Sequence, residues 1–496
     1  MNKIGASLLL AGVVSTAMAQ TNTPATQVHT MSLQDCIVEA LKHNFDVRVE
    51  RLEPEKAKLS LDAAYAGYDP TFNIAGTHNF NESGGQFVNG FQTPAQVTDA
   101  NSFNSSLGGA LPSGLQYNLS GNVAETYGSS GGAPFDSSGG SVGVNLTQPL
   151  LKNMWIDGTR LGISIAKNQV KVSTQGLRLQ LISTVSAVEN AFYELVYARE
   201  NLTVEQQALD LAQTQLGQDR QRVEVGSLAP LDVQQDEAQV AQSRANLIAA
   251  QFTLASDENT LKNLITENYP QWNQIDIEPA AKLEAVRQLF DLQDSWSKGM
   301  ASRPDLLQAK LTLEQQGIQL KYDRNQLYPQ LDLTGSYGFN GSGREFSDAF
   351  GQYSEGNRPF YSYGAQMSVP LSNLRARSTY KSDKAVEEQY LLKLKQLEQN
   401  VMVQIDDAVK QAQAAWESVD ATKEARTYAE AALDAEQKKY SVGKSTTFTV
   451  LQLQNNLTAA RSQEIRALAN YQEALTNLAQ QEGSTLERRN VDVNVK

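Results

Sequence analysis

One cysteine, Cys36, and three histidines, His29, His43 and His78, are all that this 496-residue chain offers to thiol or imidazole chemistry. A lone cysteine forms no internal disulfide. The histidines are scattered, without metal-ligand spacing or cysteine partners. His78 falls in a strand-like stretch and reads as a pore or interface residue rather than a base. The serines lie in glycine-rich loops without a nucleophile-elbow pattern, and SGGSVG (138–143) is loop chemistry, not a phosphate-binding loop. No enzyme, metal site or cofactor is therefore expected. Positive charge is in deficit: 42 Lys and Arg face 55 Asp and Glu, for a net charge of −13. Such a chain repels phosphates, which argues against nucleic acid as a partner. Aromatics are 7% of residues. No segment of the mature chain offers the roughly 18 consecutive apolar residues of a membrane-spanning helix.

The first residues, MNKIGASLLLAGVVSTAMAQ, carry Lys3, an apolar stretch from Ile4 to Val14 and Ala17-Met18-Ala19. This pattern predicts a signal peptide over 1–19, cleaved before Gln20. An exported chain without an apolar helix is either a soluble periplasmic protein or one that crosses a membrane as β-strands.

The chain repeats itself. Residues 33–76 match 292–335 at an offset of 259, pairing LQD with LQD, Asp46 with Asp305, Pro70 with Pro329 and Gly76 with Gly335. A second register at an offset of 217 pairs Val225 with Val442, Gly226 with Gly443 and Arg244 with Arg461. The first repeat, 20–283, thus carries roughly forty residues more in its middle than the second, 284–482; a tail follows at 483–496. Each repeat reads as helix, polar β-rich section, very long helix, Val-Gly turn and shorter helix.

No proline interrupts the chain between Gly158 and Ala229. The long helices are expected over about 159–225 and 376–442, each about 100 Å at 1.5 Å per residue. Leu181, Val188, Leu195, Leu202, Leu209, Leu216 and Val223 recur every seven residues, a coiled-coil seam. The matching row in the second repeat is weaker, because Glu398 and Arg426 interrupt it. The shorter helices (about 31–66, 231–266, 292–327 and 447–482) are half as long, so two end to end would match one long helix. A non-conducting periplasmic or surface coiled-coil protein is the alternative that these helices leave open.

The β sections bear on that choice. In QLDLTGSYGF (330–339), Leu331, Leu333, Tyr337 and Phe339 share one face, with Asp332, Thr334 and Ser336 on the other. YSYGAQMSV (361–369), FNIAG (72–76) and VGVNL (142–146) alternate in the same way. Strands apolar outside and small-polar inside describe a transmembrane β-barrel. Four principal strands cannot close a wide pore, so copies must associate. SLGGALPSGLQYNLSG (106–121) reads as an additional hairpin turning at Pro112-Ser113-Gly114, which either joins the barrel or projects from it.

These features together resemble the TolC-like outer-membrane efflux protein family over essentially the whole mature chain. The resemblance rests on the duplicated helix–Asp-x-Pro–strand segments, LTQPLLKN (146–153) at the strand-to-helix junction, and the turns VGSLAPLDV and YSVGKSTTF. It implies a trimer in which four strands per chain form a 12-stranded barrel continuous with a periplasmic α-helical barrel. A belt at mid-height would come from about 267–291 and the C-terminal tail. It also implies a passive exit duct that docks, through a periplasmic adaptor, onto an inner-membrane transporter of RND, ABC or MFS type.

By the same resemblance the two Val-Gly turns are the periplasmic tips. Val225, Gly226, Ser227, Val442, Gly443 and Lys444 are the adaptor-docking candidates, although a plain helix stop explains the glycines equally well. The gate positions are Asp232, Tyr440, Lys444, Ser445, Thr449 and Gln452. Asp232 and Tyr440 match two linking positions; Ser445 replaces an arginine, and Thr449 and Gln452 replace ring aspartates. A hydrogen bond from Tyr440 to Asp232 is the expected closing contact.

Overall fold

The computed structural model describes residues 27–85, 87–92 and 94–491, so the expected signal peptide lies outside the described residues. Four helical hairpin arms dominate. α3 (Gly158–Glu224) and α9 (Leu374–Ser441) are the long helices, within two residues of the expected bounds. α4 (Pro230–Ile265) and α10 (Thr447–Glu482) return beside them. The remaining two half-length segments pack on the far halves of α3 and α9.

Those two segments are each broken, where a single helix had been expected. The first divides into α1 (Leu33–His43) and α2 (Phe45–Tyr65). Asn44 ends α1 and caps α2, its Oδ1 accepting from the amides of Asp46 and Val47 at 3.0 and 3.2 Å. The second divides into α6 (Leu292–Ser302) and α7 (Pro304–Gln326). Pro304 has no amide hydrogen to continue α6 and is well placed to start α7.

The two seven-residue rows differ less in the fold than in sequence. Leu181, Val188, Leu195 and Leu209 are buried on α3, and Ile405, Ala412, Val419, Leu433 and Tyr440 are buried on α9. Arg426, which interrupts the second row, is held by Glu464 of α10 at 2.5 Å and Glu430 at 3.2 Å. Paired with carboxylates, the guanidinium can sit beside the seam while its stem adds packing.

The main core lies at mid-height. Two short parallel strands, β1 (Gln27–Met31) and β8 (Ile275–Pro279), lie against α3, with α5 (Tyr269–Trp272) just before β8. Ile37, Phe192, Leu195, Leu261, Ile265 and Ile277 are fully buried here. The chain ends with α11 (Thr485–Arg488), after which Arg489 donates to both oxygens of buried Glu189 on α3, at 2.6 and 2.9 Å. Thr476 of α10 adds a bond of 2.8 Å to the same carboxylate.

One antiparallel sheet caps the helices, in the order β10-β9-β7-β6-β5-β2. Its strands are β2 (Thr71–Ser83), β5 (Gln96–Ala110), β6 (Gln116–Ser130), β7 (Ala133–Pro149), β9 (Gln330–Gly343) and β10 (Pro359–Ser368). A small hairpin, β3 (Phe87–Val88) and β4 (Phe91–Gln92), lies between β2 and β5. The sheet thus holds the four expected principal strands and two more: β5 and β6, the additional hairpin whose place the sequence left open, sit inside the sheet between β2 and β7. They pair there over their full length, because their polar–apolar alternation is in phase with that of their neighbours.

The register sorts most side chains by face, with His78, Asp99, Glu125 and Asp136 among the charged or titratable residues on the apolar side toward the strand ends away from the helices. One face carries Phe72, Ile74, Phe103, Leu107, Leu119, Val123, Val142, Val144, Leu333, Tyr337, Tyr361 and Tyr363; the other carries Thr77, Ser102, Asn122, Ser141, Ser336 and Ser362. On the polar face hydroxyls and amides bond across strands: Thr77 to Ser102 at 2.6 Å, Ser336 to Ser362 at 2.7 Å, and Ser141 to Asn122 at 2.6 Å. α8 (Phe346–Glu355), in the β9–β10 connection, folds back over the apolar face, with Phe346 5.6 Å from Phe103 between ring centroids and Ala349 buried.

Sheet and helices meet at a hydrogen-bonded joint. Asn153, at positive φ, donates its backbone amide to Asn325 Oδ1 at 2.6 Å. Arg160 donates to the carbonyls of Asn153 and Met154 at 2.9 and 2.8 Å.

Candidate functional site: the paired hairpin tips

The two tips are built alike. After α3, Gly226 adopts φ +73°, its amide bonds to the Val223 carbonyl at 2.9 Å, and the Ser227 amide reaches the Arg222 carbonyl at 2.8 Å. After α9, Gly443 adopts φ +75°, its amide bonds to the Tyr440 carbonyl at 3.1 Å, and the Lys444 amide reaches the Lys439 carbonyl at 2.9 Å. A left-handed glycine that closes a helix this way satisfies the last carbonyls, and a Cβ would be strained there. Pro230 opens α4, and Thr446 caps α10 through Thr449.

The valines before the glycines are bare. Val225 is 77% exposed and Val442 67%. Neither is needed to stop a helix, and both present an apolar side chain at a solvent-facing turn. Ser227 turns inward, its hydroxyl on the Arg222 carbonyl at 3.0 Å.

Behind the turns lies a buried polar cluster. Tyr440, on α9, donates its hydroxyl to Asp219 of α3, 2.8 Å from each carboxylate oxygen, and meets Thr447 Oγ1 of α10 at 2.9 Å. Gln215 donates to Asp219 at 2.7 Å. Arg222 completes the group, 3.5 Å from Asp219 and 4.6 Å from the centre of the Tyr440 ring. The expected bond from Tyr440 to Asp232 is not formed within the chain, because Asp219 and Thr447 already occupy the hydroxyl. Asp232 instead lies half-buried in the first turn of α4.

Asp236 completes the cluster from α4. It is 1% exposed, and neither of its oxygens meets a hydrogen-bond donor. Burial, then the negative charge of Asp219 and of Asp232, pushes its carboxyl up to about 7. Asp236 is thus the donor-less carboxyl of a dry site that it shares with Asp219, to which Tyr440 and Gln215 both donate.

The other positions expected to gate lie around this cluster. Ser445 donates to Glu436 at 2.6 Å, Thr449 pairs with Thr446 at 3.0 Å, and Lys444 and Gln452 face solvent. Sequence reading missed Asp219, Arg222 and Asp236. A signal was present: Ala191, Ala198, Ala212 and Asp219 lie on one buried row of sevens, as do Asp236, Ser243 and Ala250. An aspartate continuing a row of small buried residues is a buried aspartate. Among the described residues no group of three or more His, Cys, Asp or Glu could hold a metal ion, and no helix is long and apolar enough to cross a membrane.

An amphipathic antiparallel sheet mounted on helical hairpins about 100 Å long defines a class: outer-membrane channels with a periplasmic helical tunnel. Solved structures carry the same fold. A membrane protein from Pseudomonas aeruginosa matches with TM-score 0.68 at 19% identity, over 92% of this chain and 91% of that one. The CmeC outer membrane channel of Campylobacter jejuni matches with TM-score 0.65 at 14% identity, over 91% and 86%. The outer membrane efflux protein (OEP) family model matches residues 109–267 and 297–484, and the chain belongs to that family. Among curated relatives, the outer membrane efflux protein BepC of Brucella suis is 25% identical over 66% of this chain and 68% of its own length. Outer membrane protein TolC of Escherichia coli is 27% identical over 57% of each. This chain therefore spans little more than half of the latter. It is an outer-membrane protein.

Proposed function

We propose that three copies of this chain form a passive export duct, the outer-membrane component of a tripartite efflux or type I secretion system. The observation that carries this reading is the pair of tips. Two turns from different repeats share one hydrogen-bond pattern, and each presents a bare valine. A docking partner with apolar ridges would cover Val225 and Val442, leaving Gly226, Ser227, Gly443 and Lys444 to approach its backbone closely. Such a partner is a periplasmic adaptor hairpin, which would link the duct to an inner-membrane transporter. On this reading the duct is passive and the transporter supplies the energy. Tyr440, Asp219 and Arg222 hold the long helices together there, so they are placed to keep the tip shut at rest.

The test is export by the host. Loss of the gene is expected to raise accumulation of an exported dye or block secretion of a cargo. The double variant Val225→Asp, Val442→Asp should reproduce that loss while still reaching the outer membrane in wild-type amount. Full export by the double variant would remove the docking role of the tips.

A further inference from the structure

The sheet contains two strands more than the internal duplication requires. The second repeat contributes β9 and β10; the first contributes β2, β5, β6 and β7. The two repeat registers differ by 42 residues, close to the length of β5, β6 and their turns. β5 and β6 are therefore an insertion into a sheet that otherwise has two strands per repeat.

The inserted pair is built as wall. Its register with β2 and β7 is continuous over thirteen residue pairs on one side and fifteen on the other. Leu107, Phe103, Leu119 and Val123 continue the apolar face, and Ser102, Asn104, Ser106, Asn118, Ser120 and Asn122 continue the polar one. A hairpin projecting from a barrel, or plugging it, would not need both faces in phase with its neighbours.

The edges say what completes the sheet. β2 and β10 each pair on one side only. Unpaired strand edges are not tolerated in a bilayer. Six antiparallel strands leave the two edges running in opposite directions. The β2 edge of one copy thus meets the β10 edge of the next in antiparallel sense, and identical copies close head to tail.

We propose that each chain contributes six strands to the outer-membrane barrel, so that the trimer proposed above closes as eighteen strands rather than twelve. Diameter grows about linearly with strand number, so the mouth is about 1.5-fold wider and about 2.2-fold larger in cross-section than a twelve-stranded one. Its central rows are lined by serine, threonine and asparagine, with little fixed charge. The membrane section then neither sieves nor selects ions strongly, and the occupants it suits are bulky solutes or unfolded polypeptide. Restriction falls to the helical tips.

Electron microscopy of the full-length protein in lipid nanodiscs, with the particle mass measured alongside, tests this. The expected wild-type image shows eighteen strands in a particle of three chains. Deletion of residues 92–133, which joins β2 to β7 as β9 joins β10, is expected to give twelve and a cross-section about 2.2-fold smaller. A wild-type wall of twelve strands in a trimer, with β5 and β6 outside the wall or in the lumen, overturns the proposal, whether or not the deletion variant folds. The trimer reading fails separately: a mass of two or four chains would sink it, while a strand count of six per chain would still uphold the insertion.

Discussion

The hydroxyl of Tyr440 lies 2.8 Å from both carboxylate oxygens of Asp219, joining the ends of the two long helices across 221 residues of sequence. Both groups are buried, and Arg222 faces both. Removing a hydroxyl that serves a buried carboxylate costs on the order of 1–3 kcal/mol. Tyr440→Phe is therefore expected to loosen the tip and raise resting conductance several-fold. Asp232→Asn, which touches neither group and acts only through its charge near Asp236, should change it far less. Equal opening by both variants would mean that Asp232, not Asp219, carries the closing contact in the assembled channel.

If the tip gates the duct as proposed, Asp236 is expected to make it pH dependent. Its carboxyl is pushed up to about 7 in this fold from the ordinary 3.8, so between those values a tip closed as in this fold binds more protons than an opened, hydrated one. Stability of the closed form then falls as pH rises. The contribution is whole below about pH 4 and gone once pH passes 7. Conductance should be greater at pH 8 than at pH 5, with Asp236→Asn small and flat across that range. A wild-type conductance that rises on acidification would contradict the sign.

At mid-height, Arg489 anchors the C-terminal segment to Glu189. Glu189 is buried, and Arg489 supplies two of its three hydrogen bonds. Breaking a buried pair by removing one partner costs about 3–5 kcal/mol. Arg489→Ala should lower the melting temperature and release residues after Gly483 to protease, while Glu487→Ala, at the exposed side of α11, should do neither.

The turn glycines separate shape from docking. At φ near +75°, Gly226→Ala and Gly443→Ala each cost about 1 kcal/mol. Nothing lies within 4 Å of either position, so no clash adds to that. Each single alanine should therefore assemble normally and weaken adaptor binding only modestly. Binding measured on immobilised channel should rank Val225→Asp well below Gly226→Ala; the reverse order would assign the turn a purely backbone role.

How much of this was legible in sequence differs by level. The long helices were, because a proline-free run with a row of sevens leaves no other reading for 158–224. The breaks at Asn44 and Pro304 were not, although both residues carry the signal in their own chemistry: an amide that caps, and an imino acid that cannot donate. The face of each strand was readable from alternation, but the place of β5 and β6 was not, since pairing order is a property of the sheet rather than of any strand. At the tips, family resemblance pointed to Asp232 and Tyr440. It could not point to Asp219 and Asp236, whose burial depends on which helix faces which.

The central claim is that this chain forms a water-filled path through the outer membrane. Single-channel recording of the purified protein in a planar bilayer tests it most directly. A small, stable conductance that grows in Tyr440→Phe is the result this account predicts. Membrane-inserted trimers that stay silent in the wild type, in Tyr440→Phe and in Asp219→Asn alike would contradict it and leave a structural coiled-coil role in its place.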